Sequence, residues 1–180
     1  MKVFSFYNSN RAVIEQTVLD NYNRYYRMAY SYVKNEADAS DIVQNGACRA
    51  LRKAEDLRKQ EYAQTWVYRI MLNEIFRFLG EKKLCPLEYE EMPESPQNSM
   101  EEQVENRMDL AAALDMLPAK DRAVIQLRYY EDRTLQEIAE ILEENQNTVK
   151  SRLYRSVGRL RKLMKMQEEQ KQTERRWQNE

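Results

Sequence analysis

The sequence predicts an all-α fold of two small helical domains joined by an acidic linker. Three observations carry this. Glycine occurs 3 times and proline 4 times in 180 residues, too rarely for a chain rich in tight turns. Apolar residues recur at three- and four-residue intervals over most of the chain, the spacing of one helix face. One stretch breaks that pattern. Residues 84–106, LCPLEYEEMPESPQNSMEEQVEN, hold three of the four prolines and Glu88, Glu90, Glu91, Glu94, Glu101, Glu102 and Glu105, with no Lys or Arg. Such a segment has little apolar surface to bury and much like charge to repel, so it reads as an extended tether. The expected division is a first domain at 11–83, the linker at 84–106, a second domain at 107–166 and a polar tail at 167–180. There are no internal repeats.

The first domain reads as three helices. The first, residues 11–33, carries the stripe Val18, Tyr22, Tyr25, Ala29 and Val33, widened by Tyr26 and Tyr30. Lys34-Asn35 forms a turn, and Asn35 can cap the next helix with Asp38 at the third position. The second helix is expected to bury Val43, Ala47, Ala50, Leu51 and Ala54. Gly46 sits inside it at a cost of about 1 kcal/mol relative to Ala. A polar loop, Glu55-Asp56-Leu57-Arg58-Lys59-Gln60, follows. The third helix, residues 61–82, presents Val67, Ile70, Met71, Ile75 and Phe78 on one face. Trp66, Tyr68, Arg69, Asn73 and Arg77 are spread around the others.

The second domain opens near Arg107 with a short stripe of Leu110, Leu114 and Leu117. Pro118 suits the first position of the next helix, where a missing N–H is harmless. Val124, Ile125 and Tyr129 are expected to line that helix. Residues 134–163, TLQEIAEILEENQNTVKSRLYRSVGRLRKL, then read as two helices with a tight turn. Thr134 with Glu137 makes a capping box. Leu135, Ile138, Ala139, Ile141 and Leu142 follow at helical spacing. Asn145 can cap the second helix, whose apolar stripe is Val149, Leu153, Val157 and Leu160. From Gln146 to Met166 the charges are Lys150, Arg152, Arg155, Arg159, Arg161, Lys162 and Lys165, with no acidic residue, whereas the preceding helix carries Glu137, Glu140, Glu143 and Glu144. An acidic support helix followed by a basic one suits a helix-turn-helix DNA reader, because only the second helix enters the major groove. The bland alternative is a helical hairpin with a solvated basic face.

Composition narrows the function. Net charge is −1, so DNA binding must come from local patches rather than from an overall basic surface. There is no histidine, which removes the commonest general base and most zinc sites. No glycine-rich phosphate loop occurs. The two cysteines, Cys48 and Cys85, lack metal-type spacing and are expected to be free thiols. No apolar run approaches the roughly 18 residues of a membrane span, and the N-terminus is too polar for a signal peptide. The expectation is a cytoplasmic protein that is not an enzyme, with no cofactor, no metal, no membrane insertion and no small-molecule substrate.

Four segments together resemble RNA polymerase sigma factors of the extracytoplasmic-function (ECF) group, in the sigma-70 family. They are DASDIVQ at 38–44, TWVYRIMLNE at 65–74, LPAKDRAVIQLRYYED at 117–132 and TLQEIAEIL with NTVKSRLYR at 134–155. The resemblance covers roughly residues 22–83 and 108–164, and the order and spacing across the linker match. It implies a front sigma region 2 domain, a back sigma region 4 domain, and a linker where region 3 would be. It implies partners too: core RNA polymerase (through its β′ clamp helices and β flap), promoter DNA, and an anti-sigma factor.

By that resemblance the recognition helix meets the −35 element through Asn147, Thr148, Lys150, Ser151, Arg152, Tyr154 and Arg155. Lys150, Ser151 and Arg155 are the expected base-edge readers. A Lys or Arg on guanine O6/N7 contributes about 1–3 kcal/mol of discrimination. Arg152, Arg159 and Arg161 suit phosphate contacts or clamps on the neighbouring helix. The front domain would capture the −10 element as a single strand through Leu57, Arg58, Lys59, Gln60, Trp66, Tyr68, Arg69, Asn73 and Arg77. Flipped bases need amide or aromatic pockets with cations nearby. Trp66 fits either strand melting or helix packing. Asp41, Gln44 and Asn45 match the face that docks on polymerase, or form an ordinary solvated face. The linker carboxylates either mimic RNA phosphates in the polymerase cleft or belong to a plain tether.

The chain departs from the family pattern in places. Glu143 and Glu144 stand where the helix-turn-helix turn usually has Gly and an apolar residue, so a left-handed residue there would be strained. Asn147 replaces a frequent Gly. Asn45-Gly46 follows Asp-Ile-Val-Gln where Glu and a bulky residue are usual. The end of the third helix, residues 78–83, is less basic than family habit. Two rival functions are a stand-alone helix-turn-helix regulator and a sigma-like adaptor that binds polymerase without reading DNA.

Overall fold

The computed structural model describes residues 2–84 and 110–178, with side chains from 9–80 and 110–169. The 84–106 linker beyond Leu84, residues 107–109 and the last two residues lie outside the described residues. The side chain of Trp177 does too. All regular structure among the described residues is helical. They form two compact units: the residues before 87 together with 136–144, and the remainder.

In the first unit, α1 (Lys2–Val33), α2 (Glu36–Arg52) and α3 (Ala63–Leu84) pack pairwise against one another. Two single 3-10 turns, Ala54–Asp56 and Gln60–Tyr62, connect α2 to α3. The α1–α2 turn forms as the sequence requires. Lys34 takes a left-handed conformation with φ 55, and its N–H donates to the Tyr30 carbonyl at 2.9 Å. Asn35 Oδ1 then accepts from the Asp38 N–H at 2.9 Å, which satisfies one orphan donor of α2.

α1 begins well before residue 11, and its buried face differs from the expected stripe. Ile14, Val18, Tyr25, Met28 and Ala29 are in the core. Tyr22 and Tyr30 are not; with Tyr26 they form an outer ladder of stacked rings, with centroids 6.4 and 6.3 Å apart. Tyr is content at such a boundary, since its ring packs while its hydroxyl stays wet. On α2 the buried residues are Ala39, Ile42, Val43, Gly46 and Ala50; Ala47 and Leu51 are only half-buried. α3 buries Trp66, Val67, Tyr68, Ile70, Met71, Leu72 and Ile75. That is nearly its whole circumference, as expected of a central helix.

Gly46 explains how closely α2 and α3 approach. A Cβ built there would lie 2.4 Å from Met71 Sδ and 3.2 Å from its Cε. The glycine costs helix propensity but gives a side chain of α3 somewhere to go.

In the second unit, residues 110–115 are helical (α4) and are followed by α5 (Ala119–Tyr129). Pro118 is the N-cap of α5 rather than its first helical residue, with φ −54 and ψ 143. α5 buries Val124, Ile125 and Leu127 but leaves Tyr129 60% exposed, because the helix ends there and the chain turns. The Arg122 guanidinium pairs with Asp115 and ties α5 to α4. A turn through Asp132, φ 51, leads out of this unit into α6 (Leu135–Leu142), whose residues from Gln136 on belong to the first unit; α6 directly follows Thr134 and buries Ile138, Ala139, Ile141 and Leu142. α7 (Gln146–Gln178) runs well past Met166, so the expected tail at 167–180 continues the recognition helix through Gln178.

Candidate nucleic-acid interface

The turn between α6 and α7 sets the start of the recognition helix. Glu143 is left-handed with φ 54, and the Glu144 N–H donates to the Ala139 carbonyl at 3.0 Å. The backbone thus closes α6 in the way a glycine normally would, on a residue that bears a Cβ. Asn145 caps α7: its Oδ1 accepts from the Asn147 N–H at 2.8 Å. Free N–H groups at such a helix start favour anions, phosphates included.

Val149 and Leu153 face inward, as the stripe predicted, and Ser156 joins them fully buried, its Oγ donating to the Arg152 carbonyl at 2.8 Å. Val157 and Leu160 are half-buried. This fixes the outward face. Asn147, Thr148, Lys150, Ser151, Tyr154 and Arg155 are all exposed, Tyr154 by 68%. Arg152 is the exception among the expected DNA contacts. Its guanidinium turns to α5, where Nη1 meets Asp121 Oδ1 at 2.8 Å. Arg159 Nη1 meets the other oxygen, Oδ2, at 3.1 Å. Of the two roles open to these arginines, phosphate contact or a clamp on a neighbouring helix, Arg152 and Arg159 here make the contacts of a clamp.

The first unit carries a groove on α2, the 53–60 segment and α3. Arg58, Lys59, Trp66, Arg69, Asn73 and Arg77 line it, with Arg49, Lys53, Asp56 and Leu57. Six of the expected strand-capture residues thus meet in one place beside Leu57. Asn73 and Arg77 are one turn apart on the exposed face of α3. Trp66 is 9% exposed and contributes packed surface more than a free ring. Tyr68 is fully buried, edge-on to Tyr25 with centroids 4.9 Å apart; it supports the groove from behind. Leu57, 3% exposed, is likewise a core anchor of its loop. Lys59 lies over the Tyr62 ring at 5.7 Å.

Sequence reasoning missed three residues that hold these surfaces. Asn10 is 2% exposed and lies one residue outside the helix that the sequence predicts at 11–33. Its Nδ2 donates to the carbonyls of Ala54 at 3.3 Å and Leu57 at 2.9 Å, and its Oδ1 accepts from Gln60 Nε2 at 3.1 Å. Gln60 also donates to Ser9 Oγ at 2.7 Å. Glu74, 3% exposed, pairs with Arg49 and Arg77, so one buried carboxylate orients two groove cations. Asp121 is the third. None shows in spacing alone, because a polar residue on a helix face reads as solvated. The one available signal was the Asn73-Glu74 pair at the groove centre.

Asp41, Gln44 and Asn45 share the exposed face of α2, and Gln44 Nε2 donates to Ser40 Oγ at 3.3 Å. No group of metal-ligating side chains occurs among the described residues, and no described helix is long and apolar enough to cross a membrane.

A groove whose lining sets six cations beside the carboxylates of Asp56, Glu74, Glu140 and Glu143, together with a capped helix-turn-helix, suits a DNA-binding protein. The chain matches the Sigma-70 region 2 family over residues 17–84 and the Sigma-70 region 4 family over residues 107–160. RNA polymerase sigma factor SigV of Bacillus subtilis is 39% identical over 159 residues, spanning 88% of this chain and 93% of that one. RNA polymerase sigma-E factor of Streptomyces coelicolor is 33% identical over 135 residues, spanning 75% and 76%. Among solved structures, the sigma factor RpoE in complex with the anti-sigma factor NepR, from Bartonella quintana, shares the fold at a TM-score of 0.66 and 24% identity, over 84% of this chain and 96% of that one. The chain belongs to the sigma-70 family of RNA polymerase sigma factors, in its ECF group.

Proposed function

We propose that this chain binds core RNA polymerase and directs it to one class of promoter. In this reading the domain at 11–83 holds the −10 element as a single strand, and the domain at 107–166 reads the −35 element in duplex form. The carrying observation is the outward face of α7, where Asn147, Thr148, Lys150, Ser151, Tyr154 and Arg155 stand exposed together above a buried stripe. Lys150, Ser151 and Arg155 are the base-edge readers, and a bidentate cation on guanine is the commonest such contact.

Strand capture belongs to the exposed groove residues Arg58, Lys59, Asn73 and Arg77, and to Arg69, which is half-buried with its Nη1 on Glu143 Oε1 at 3.1 Å. Asn73 reads a base edge with its amide, and the cations follow the backbone. Leu57, Gln60, Trp66 and Tyr68 shape and support that surface. Asp41, Gln44 and Asn45 form the face for the β′ clamp helices, and the second domain meets the β flap. An anti-sigma factor that covers both domains is the family expectation. The chain works in the cytoplasm and contributes no covalent chemistry; its work is recruitment, positioning and trapping of an opened strand.

Co-elution with core polymerase, followed by start-site mapping with and without the chain, tests this. New start sites that depend on the chain support it. Co-elution without new start sites points instead to a polymerase-binding adaptor, and neither result points to a stand-alone regulator.

A further inference from the structure

The helix α7 holds two arginines whose guanidinium groups are tied to another helix. Arg152 and Arg159 are seven residues apart, two helical turns, so their side chains leave α7 from the same side. A single carboxylate receives both. Asp121 on α5 accepts from Arg152 through Oδ1 at 2.8 Å and from Arg159 through Oδ2 at 3.1 Å. The Asp121 side chain is 9% exposed and that of Arg152 19%, so this is a sheltered pair; Arg159 is 55% exposed and reaches in from the rim. Ser156 lies between them, fully buried, and its small side chain lets the α7 backbone approach its neighbours closely.

Two consequences follow. The clamp fixes the roll of α7 about its own axis, because two points two turns apart define an orientation that one point does not. Lys150 and Tyr154 then stand on the far side of α7, and Ser151 and Arg155 stand on its flanks, all four exposed. The clamp also removes two cations from the helix that meets DNA. Phosphate contacts raise affinity for every sequence alike, whereas base contacts discriminate. A recognition helix with all its cations free would bind any duplex more tightly and gain nothing in choice.

We propose that Asp121 is a positioning and specificity-setting residue for promoter reading: it withholds Arg152 and Arg159 from the phosphate backbone and holds α7 at the roll that presents Lys150, Ser151 and Arg155 to base edges. This rests on α7 being the −35 helix. The acid acts on DNA only through the two arginines.

The test is the salt dependence of binding by the full chain with core polymerase to a selected promoter duplex and to a scrambled duplex. Asp121→Asn keeps the shape and removes the charge. It is expected to free both arginines and steepen the slope of log affinity against log salt by up to about 2, so that affinity falls about tenfold further between about 50 and 200 mM salt than in the unaltered protein. The ratio of selected to scrambled affinity is expected to drop. Asp121→Glu retains the carboxylate and should restore most of that ratio. Loss of folding alone would lower the active fraction without steepening the slope.

Arg159→Gln keeps the question decidable if Asp121→Asn does not fold. With Asp121 intact, Arg159→Gln should leave the slope unchanged, because that cation is not at a phosphate. A slope that becomes shallower by about 1 in Arg159→Gln would overturn the proposal. So would an unchanged slope in a folded Asp121→Asn. If the unaltered chain with core polymerase shows no preference for any duplex, the −35 assignment itself fails, a result separate from either of these.

Discussion

The amide of Asn10 donates to the Leu57 carbonyl at 2.9 Å across 47 residues of sequence. With the bond to the Ala54 carbonyl and the one accepted from Gln60, both amide protons and the oxygen of that buried side chain are engaged. The loop that leads into the groove on α2 and α3 is therefore held from α1, not only by its own turns. A preformed loop needs no ordering when DNA arrives, which favours tighter and more selective capture.

Asn10→Ala should loosen that loop. The Leu57 carbonyl loses the Asn10 donor and the Ala54 carbonyl keeps the Leu57 N–H, and leaving a buried group unpaired costs about 1–3 kcal/mol. The expected result is a lower urea midpoint, faster amide exchange across residues 54–60, and weaker discrimination at the −10 element with −35 preference intact. An unaltered exchange rate at 54–60 would show that the 3-10 turns hold themselves.

Gly46→Ala pits two terms against each other. Helix propensity favours Ala by about 1 kcal/mol. The new methyl would sit 2.4 Å from Met71 Sδ, inside a core where Met71 is 1% exposed. Overpacking of that kind costs about 1–3 kcal/mol, so net destabilisation is expected. Shortening the partner, as in Gly46→Ala with Met71→Ala, should show strong non-additivity in a double-mutant cycle. Additive effects would mean that the thioether simply swings aside.

The all-α class, the helix order and both caps, Asn35 and Asn145, were legible because each rests on local chemistry: helical period, side-chain capping and the scarcity of turn formers. The exposed face of α7 was legible for the same reason, Arg152 apart, since Val149 and Leu153 fix which residues stand opposite. What was hidden is tertiary. Tyr22 and Tyr30 fit an apolar stripe by spacing, yet the helices of the bundle meet α1 on the Ile14–Val18–Tyr25–Ala29 side. Tyr68 reads as an aromatic free to stack on a base, but α3 is enclosed on nearly all sides. Asn10 and Asp121 have partners 31 or more residues away, and Glu74 pairs with Arg49 on another helix besides Arg77 on its own; no sequence period records these long-range pairings.

Glu143 offers a gain rather than a loss. Its φ of 54 is a conformation that a Cβ makes costly by about 1–2 kcal/mol. Glu143→Gly should raise thermal stability, with part of that gain offset by the added freedom of glycine in the unfolded chain. Glu143→Val, β-branched at the same backbone angle, should lower it. A fall in stability on Glu143→Gly would show that the glutamate side chain contributes more than its backbone angle costs.

The central claim is that α7 and the α3 groove read two separate promoter elements. Transcription by core polymerase from a randomised promoter library, with the unaltered chain and with Lys150→Ala, Arg155→Ala and Asn73→Ala, addresses it most directly. The sigma assignment predicts a bipartite motif. Lys150→Ala and Arg155→Ala should relax only its upstream half, each base contact carrying about 1–3 kcal/mol of discrimination, and Asn73→Ala only its downstream half. A motif whose two halves weaken together in all three variants, or no motif at all, would contradict it.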